Sequence, residues 1–220
     1  MNTRQAFDME LEELSSALIR MGVAATDAID KAMTALKKSD ELLARQVISG
    51  DNLIDEMERS IEQRCLRLLL KQQPVAGDLR KISTAIKMIT DIERIGDAAS
   101  DIAEISFYLK TTAFPEIEKE VFDMAKAARD MVSDAIEAYV SENLELAQEL
   151  HKRDDIVDNY FLTIRKKLSK IMTANNELMD TAMDYLMIIK YLERIGDHAE
   201  NICEWVEFYK TGVHKNERIL

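Results

Sequence analysis

The chain has 220 residues, 47% hydrophobic and 32% charged, with six Gly, two Pro and a formal net charge of −12. That acidic balance argues against a surface built for nucleic-acid phosphates or for anionic lipid. Plentiful Ala, Leu, Glu, Lys and Met with so little Gly and Pro predicts helix throughout and no strands.

No apolar run reaches the ~20 residues of a membrane span, and Met1 to Glu10 carry no signal-peptide pattern. Cys65 and Cys203 lack metal or redox spacing and read as reduced, buried residues of a cytoplasmic protein.

From about Phe7 to Lys38 an apolar stripe at helical spacing runs through Leu11, Leu14, Leu18, Met21, Ala25, Ala28, Ala32 and Leu36. Ser39-Asp40 caps a second helix carrying Leu43, Val47, Leu53, Ile54, Met57, Ile61 and Leu68 towards Lys71, with Gly50 a candidate bend. Gln72-Gln73-Pro74 ends it, and a third helix runs from about Ala76 to Lys110. After the break at 111–115, Pro115 suits the first turn of a fourth helix ending near Val140. Ser141-Glu142-Asn143 opens a fifth, Asn175-Asn176 closes it, and a sixth runs to about Lys210 with Gly212 just beyond its end.

These six helices are two copies of three. Glu-Arg-Ile-Gly-Asp stands at 93–97 and again at 193–197, an offset of 100. Asp27/Asp130, Ala35/Ala138, Ala44/Ala147, Asp51/Asp154 and Asp55/Asp158 match at an offset of 103. The expected fold is all-α: two tandem antiparallel three-helix bundles, residues 1–112 and 113–220, packed on each other.

The repeat also repeats its acids. Asp51/Asp55, Glu93/Asp97, Asp97/Asp101, Asp154/Asp158 and Glu193/Asp197 stand four apart, so each pair shares one helix face at a mild repulsive cost. Asp51 and Asp97 are equidistant from Pro74, as are Asp55 and Glu93. Asp154/Asp197 and Asp158/Glu193 are likewise equidistant from the Asn175–Asn176 break. Each hairpin therefore gathers four acids at one level, with Asp27 or Asp130 a possible addition from the remaining helix. Four or five clustered carboxylates stay ionised only beside cations, and an all-oxygen set suits hard or borderline ions. The plainer alternative is a solvated face of ion pairs, for which Arg59 and Arg94 are at hand. Gly96 and Gly196 fall inside helices, where close packing of a neighbour is the usual reason. His151, His198 and His214 are scattered, with His198 at most a peripheral ligand. Because Asp101 is matched by the uncharged Asn201, the first cluster is expected to bind cations more tightly.

At these residues the chain resembles the PhoU family of phosphate-specific transport accessory proteins. The resemblance covers nearly the whole chain. It rests on Phe7-Asp-Met-Glu-Leu-Glu12, Val47-Ile-Ser-Gly-Asp51, Gln73-Pro-Val-Ala-Gly-Asp-Leu-Arg80, both Glu-Arg-Ile-Gly-Asp copies and Asn201-Ile-Cys-Glu204. It implies metal ions (iron, manganese, magnesium or zinc) at Asp51, Asp55, Glu93, Asp97 and Asp101, and at Asp154, Asp158, Glu193 and Asp197; Asn201 departs from the family pattern and would add only a neutral carbonyl oxygen. It further implies a cytoplasmic, frequently dimeric negative regulator linking a phosphate ABC transporter to a phosphate-sensing histidine kinase, without catalysis. The competing expectation is a carboxylate-bridged di-metal enzyme or ferritin-like bundle. Its Glu-x-x-His signature is missing, since Ile195 stands three before His198.

Overall fold

The computed structural model describes residues 3–71, 74–109, 114–215 and 217–218. Six long α-helices account for nearly all of them: α1 (Thr3–Lys38), α2 (Glu41–Lys71), α3 (Ala76–Ile105), α4 (Pro115–Val140), α5 (Leu144–Ala174) and α6 (Met179–Thr211). Helix α3 stops five residues before the expected Lys110, in a turn over 106–108, and Lys110 itself lies outside the described residues, as do Gln72, Gln73 and 111–113. A single 3-10 turn, Asn176–Leu178, leads into α6.

The α1/α2 and α4/α5 turns show the repeat in backbone detail. Ser39 (φ 51°) and Glu142 (φ 52°) both adopt the left-handed conformation. The next amide donates back into the preceding helix, Asp40 N to Ala35 O at 3.0 Å and Asn143 N to Ala138 O at 2.9 Å, which satisfies orphan carbonyls at the helix end. Asp40 and Asn143 then accept from the amides of Leu43 (3.0 Å) and Leu146 (3.1 Å), capping α2 and α5. Helix α6 ends at Gly212 (φ 76°), whose amide donates to Phe208 O. Beyond it the chain departs from the strand-free expectation. Val213–His214 and Glu217–Arg218 pair as a two-residue antiparallel hairpin, with His214 stacked on Trp205 at 3.9 Å.

Helices α1–α3 and α4–α6 pack as two antiparallel bundles, joined where α3 lies against α6 and α1 against α4. In α2 the buried seam is Ala44, Val47, Ile54, Ile61, Cys65 and Leu68. Leu53, which the sequence placed in the stripe, is exposed. In α5 the seam is Ala147, Leu150, Val157, Ile164 and Leu168. Helices α3 and α6 bury a wider face, because each touches both its own bundle and the other. The buried apolar residues of all six helices form one continuous core.

Candidate metal centres

Asp51 and Asp154 interrupt those seams. Each occupies a position where helical spacing would place an apolar residue, one turn after Val47 or Leu150 and three residues before Ile54 or Val157. Each therefore points at the glycine of the facing helix. A Cβ built on Gly96 would meet Ile54 Cδ1 at 2.8 Å and Asp51 Oδ1 at 3.3 Å. On Gly196 it would meet Asp154 Oδ1 at 3.1 Å and Val157 Cγ1 at 3.3 Å. The mid-helix glycines thus let α2 approach α3, and α5 approach α6, while leaving room for one carboxylate oxygen.

Around these oxygens two acidic triads assemble: Asp51, Asp55 and Asp97 in the first half, and Asp154, Asp158 and Asp197 in the second. In each, one oxygen per residue lies within 4.8 Å of the others. Glu93 and Glu193 flank the triads; both are half-buried. Arg59 pairs with Asp55 at 3.2 Å, and Arg94 with Asp97 at 3.2 Å and Glu93 at 3.4 Å. Lys190 pairs with Glu193 in the second half. These cations sit at the rim and do not reach the innermost atoms: Asp51 Oδ1 and Asp154 Oδ1 are fully buried and accept no hydrogen bond among the described residues.

Two orphaned buried carboxylate oxygens, each beside two further carboxylates, are electrostatically costly without a counter-charge. Burial, reinforced by Asp97 and Asp55, pushes Asp51 up to about 6. Burial, reinforced by Glu200, Asp158 and Asp197, pushes Asp154 up to about 7. The donor set fits a hard or borderline divalent cation, which would convert mutual repulsion into shared coordination.

The other candidates lie outside the triads, although the charge of Asp101 still acts on Asp51. Asp101 accepts from Tyr191, and Asn201 donates to Asp91 at 3.2 Å, so both sit at the α3/α6 contact. In the numbering of the repeat, exchanging the halves turns one pair into the other. His198 is also engaged here, its Nδ1 2.9 Å from Asp91 Oδ1. Asp27 is exposed and pairs with Lys31 at 2.6 Å. Asp130 pairs with Arg129 at 3.3 Å. Neither belongs to a triad.

His151, read from the sequence as isolated, is clasped by α6. Its Nδ1 lies 2.9 Å from Glu200 and its Nε2 3.2 Å from Glu207. Burial lowers its pKa, but the two carboxylates outweigh burial and hold it above the ordinary histidine value. The signal was present in the sequence: His151 and Glu200 are equidistant from the Asn175–Asn176 break, like the acids.

The fold and paired acidic sites define a tandem-repeat, carboxylate-rich helical protein, and the comparisons agree. The PhoU domain family matches twice, over residues 18–106 and 121–206. A phosphate-specific transport system accessory protein PhoU homolog from Clostridium acetobutylicum is 42% identical, over 96% of both chains. Homolog 1 from Thermotoga maritima is 35% identical over 96% of this chain and 91% of its own. The crystal structure of PhoU from Pseudomonas aeruginosa superposes with a TM-score of 0.90 at 34% identity, covering 94% of this chain and all of that one. The phosphate transport system regulatory protein PhoU from Streptococcus pneumoniae gives 0.88 at 30% identity, covering 94% and 98%. The chain belongs to the PhoU family.

Proposed function

We propose that this protein is the accessory regulator of a phosphate-specific transport system, a metal-binding adaptor that restrains phosphate uptake and starvation signalling. The observation that carries this reading is the match over nearly the full length to relatives named as accessory or regulatory proteins of that system. The adaptor joins a phosphate ABC transporter to a phosphate-sensing histidine kinase, acts in the cytoplasm and works as a homodimer. No described helix is long and apolar enough to cross a membrane, so contact with membrane partners falls to surfaces of the bundle.

The metal reading is supported by the unpartnered oxygens of Asp51 and Asp154 and the space left by Gly96 and Gly196. Asp51, Asp55 and Asp97, with Glu93 at the edge, would hold one centre. Asp154, Asp158 and Asp197, with Glu193, would hold the other. A bound cation supplies positive charge that ties α2 to α3 and α5 to α6. Regulation by binding, without turnover, fits sites whose closest ligands are carboxylates alone, with no serine, cysteine or histidine nucleophile among them.

Deleting the gene should leave a phosphate-starvation reporter switched on at high phosphate. Normal repression in the deletion strain would refute the regulatory reading. Affinity capture from phosphate-replete cells should recover the transporter ATPase and the kinase. Oxygen consumption on adding Fe(II) would favour a di-metal enzyme instead.

A further inference from the structure

We propose that His151 is a proton-operated clasp: the charged ring ties α5 to α6 at two points, and loss of its proton releases one tie and resets the C-terminal hairpin beside it. The geometry calls for the proton. Nδ1 lies 2.9 Å from Glu200 Oε1, and Nε2 lies 3.2 Å from Glu207 Oε1. An ionised carboxylate only accepts, and a neutral imidazole carries a single N–H. Both contacts are attractive at once only for the imidazolium. In the neutral ring one nitrogen turns its lone pair towards a carboxylate. The repeat shows that packing does not demand this trio. By the offsets of the two copies, His151 corresponds to Ile48, Glu200 to Ser100 and Glu207 to Phe107. Ser100 is buried, and Ile48 and Phe107 pack against the core. The first bundle fills these positions with two apolar side chains and a hydroxyl, where the second places three ionisable groups.

The clasp borders a cavity of about 370 Å³ lined by His151, Glu204, Glu207, Thr211, Val213 and Lys215. Val213 and Lys215 lie at the start of the hairpin that follows α6. Lys215 pairs with Glu204 at 3.0 Å, and His214 stacks on Trp205, so one charge contact and one ring contact seat the hairpin. The other charges near the clasp have their own partners. Asp134 on α4 is held by Arg153, and Asp91 on α3 by His198 and Asn201. Asp154 stands three residues further along α5, and the charge of Glu200 reaches it. With the ring charged, Glu200, Glu204 and Glu207 are met by two cations, His151 and Lys215. With the ring neutral, Lys215 is the one cation lining the cavity among the described residues, so the balance that seats the hairpin shifts. Burial lowers the ring's pKa, but Glu200 and Glu207 together raise it above the ordinary histidine value. The double tie is therefore complete below the ordinary histidine value and is lost as pH rises through the raised one.

Two titrations of the full chain test this. Imidazole NMR follows the three histidines, and the fluorescence of Trp205, the only tryptophan, reports on the hairpin through its His214 stack. We expect His151 to titrate with a midpoint above the ordinary histidine value, moving down in Glu200→Gln and in Glu207→Gln. Trp205 emission should show a step at the same midpoint and follow it in both variants. His151→Gln should abolish that step while any step at the His214 midpoint stays. Asp154→Asn, which disables the neighbouring metal centre, should keep it, so the clasp stands apart from the metal reading. If His151→Gln does not fold, the joint downward move of the His151 and Trp205 midpoints in Glu207→Gln gives the same answer. A His151 midpoint at or below the ordinary value, or one that neither glutamate substitution moves, would overturn the inference. So would Trp205 emission without a step at that midpoint, or a step that disappears in Asp154→Asn.

Discussion

Glu142 shows how one side chain ties the helices of the second bundle together. It sits at the α4/α5 turn and accepts from Tyr209 Oη at 2.8 Å and Lys210 Nζ at 2.8 Å, both near the end of α6. The hydrogen bonds from Lys210 and Tyr209 hold its carboxyl below the ordinary glutamate value. A depressed carboxylate contributes stability above its unfolded pKa and loses that contribution as pH falls through the folded one. Glu142→Gln should therefore cost roughly 0.2–1 kcal/mol at pH 7, the range of a solvent-screened pair. The cost should shrink towards zero as pH falls from the ordinary glutamate range through the depressed one. Urea unfolding of both chains across that range checks it; a pH-independent difference would show that packing, not charge, is at stake. The cysteines behave oppositely: burial, reinforced by neighbouring carboxylates, pushes the Cys65 thiol up to about 12 and Cys203 higher still, so both are inert packing residues.

At the level of helices, the glycines separate two kinds of position. Gly22 lies where α1 meets α4, and a Cβ there would stand 2.7 Å from Ile136 Cγ1. Gly96 meets the tip of Ile54, Gly196 meets Asp154 and Val157 at longer distances, and Gly50 meets nothing within 4 Å. Replacing a helical glycine by alanine gains about 1 kcal/mol in propensity, while overpacking costs about 1–3 kcal/mol. Gly50→Ala should therefore stabilise by roughly 1 kcal/mol. Gly22→Ala should destabilise most, with Gly96→Ala and then Gly196→Ala between. Denaturant midpoints for the four variants give the order directly, and a stabilised Gly22→Ala would contradict the packing account. Gly50, a candidate bend by sequence, lies within an unbroken α2. The motif glycines were legible as close-packing sites because they interrupt strong helical patterns. Gly22 was not, because only the α1/α4 crossing makes its missing side chain matter.

For the whole molecule, the question is whether two repeats make two folding units. The buried residues of α1–α6 form one core, and α3 and α6 each bury a face in both bundles. Side chains also cross between the repeats, Arg80 donating to Tyr209 O at 3.2 Å and Thr84 to Trp205 O at 3.3 Å. Neither bundle can open without exposing apolar surface of the other, so thermal unfolding of the metal-free chain should be one transition with equal calorimetric and van't Hoff enthalpies. Two resolved transitions would show that the repeats fold separately.

The six helices, their breaks, the internal repeat and the level at which the acids gather were determined by the sequence itself. Apolar spacing, caps and hairpin symmetry are local properties that one chain records, and Asp51, Asp55 and Asp97 with their counterparts followed from counting outward from the turns. The tertiary structure decided what counting along one hairpin could not. Residues 101 and 201 share the motif helices but lie on the side that α3 and α6 turn towards each other, so Asp101 meets Tyr191 and Asn201 meets Asp91. Asp27 and Asp130 depended on the angle of a third helix, and that angle leaves them in ion pairs of their own. His151 and Glu200 obeyed the same symmetry as the acids, yet only the packed α5/α6 pair shows a ring seated between two carboxylates. Which face of a helix meets which neighbour is set by the burial of all six helices together, and no single stretch of the chain contains that information.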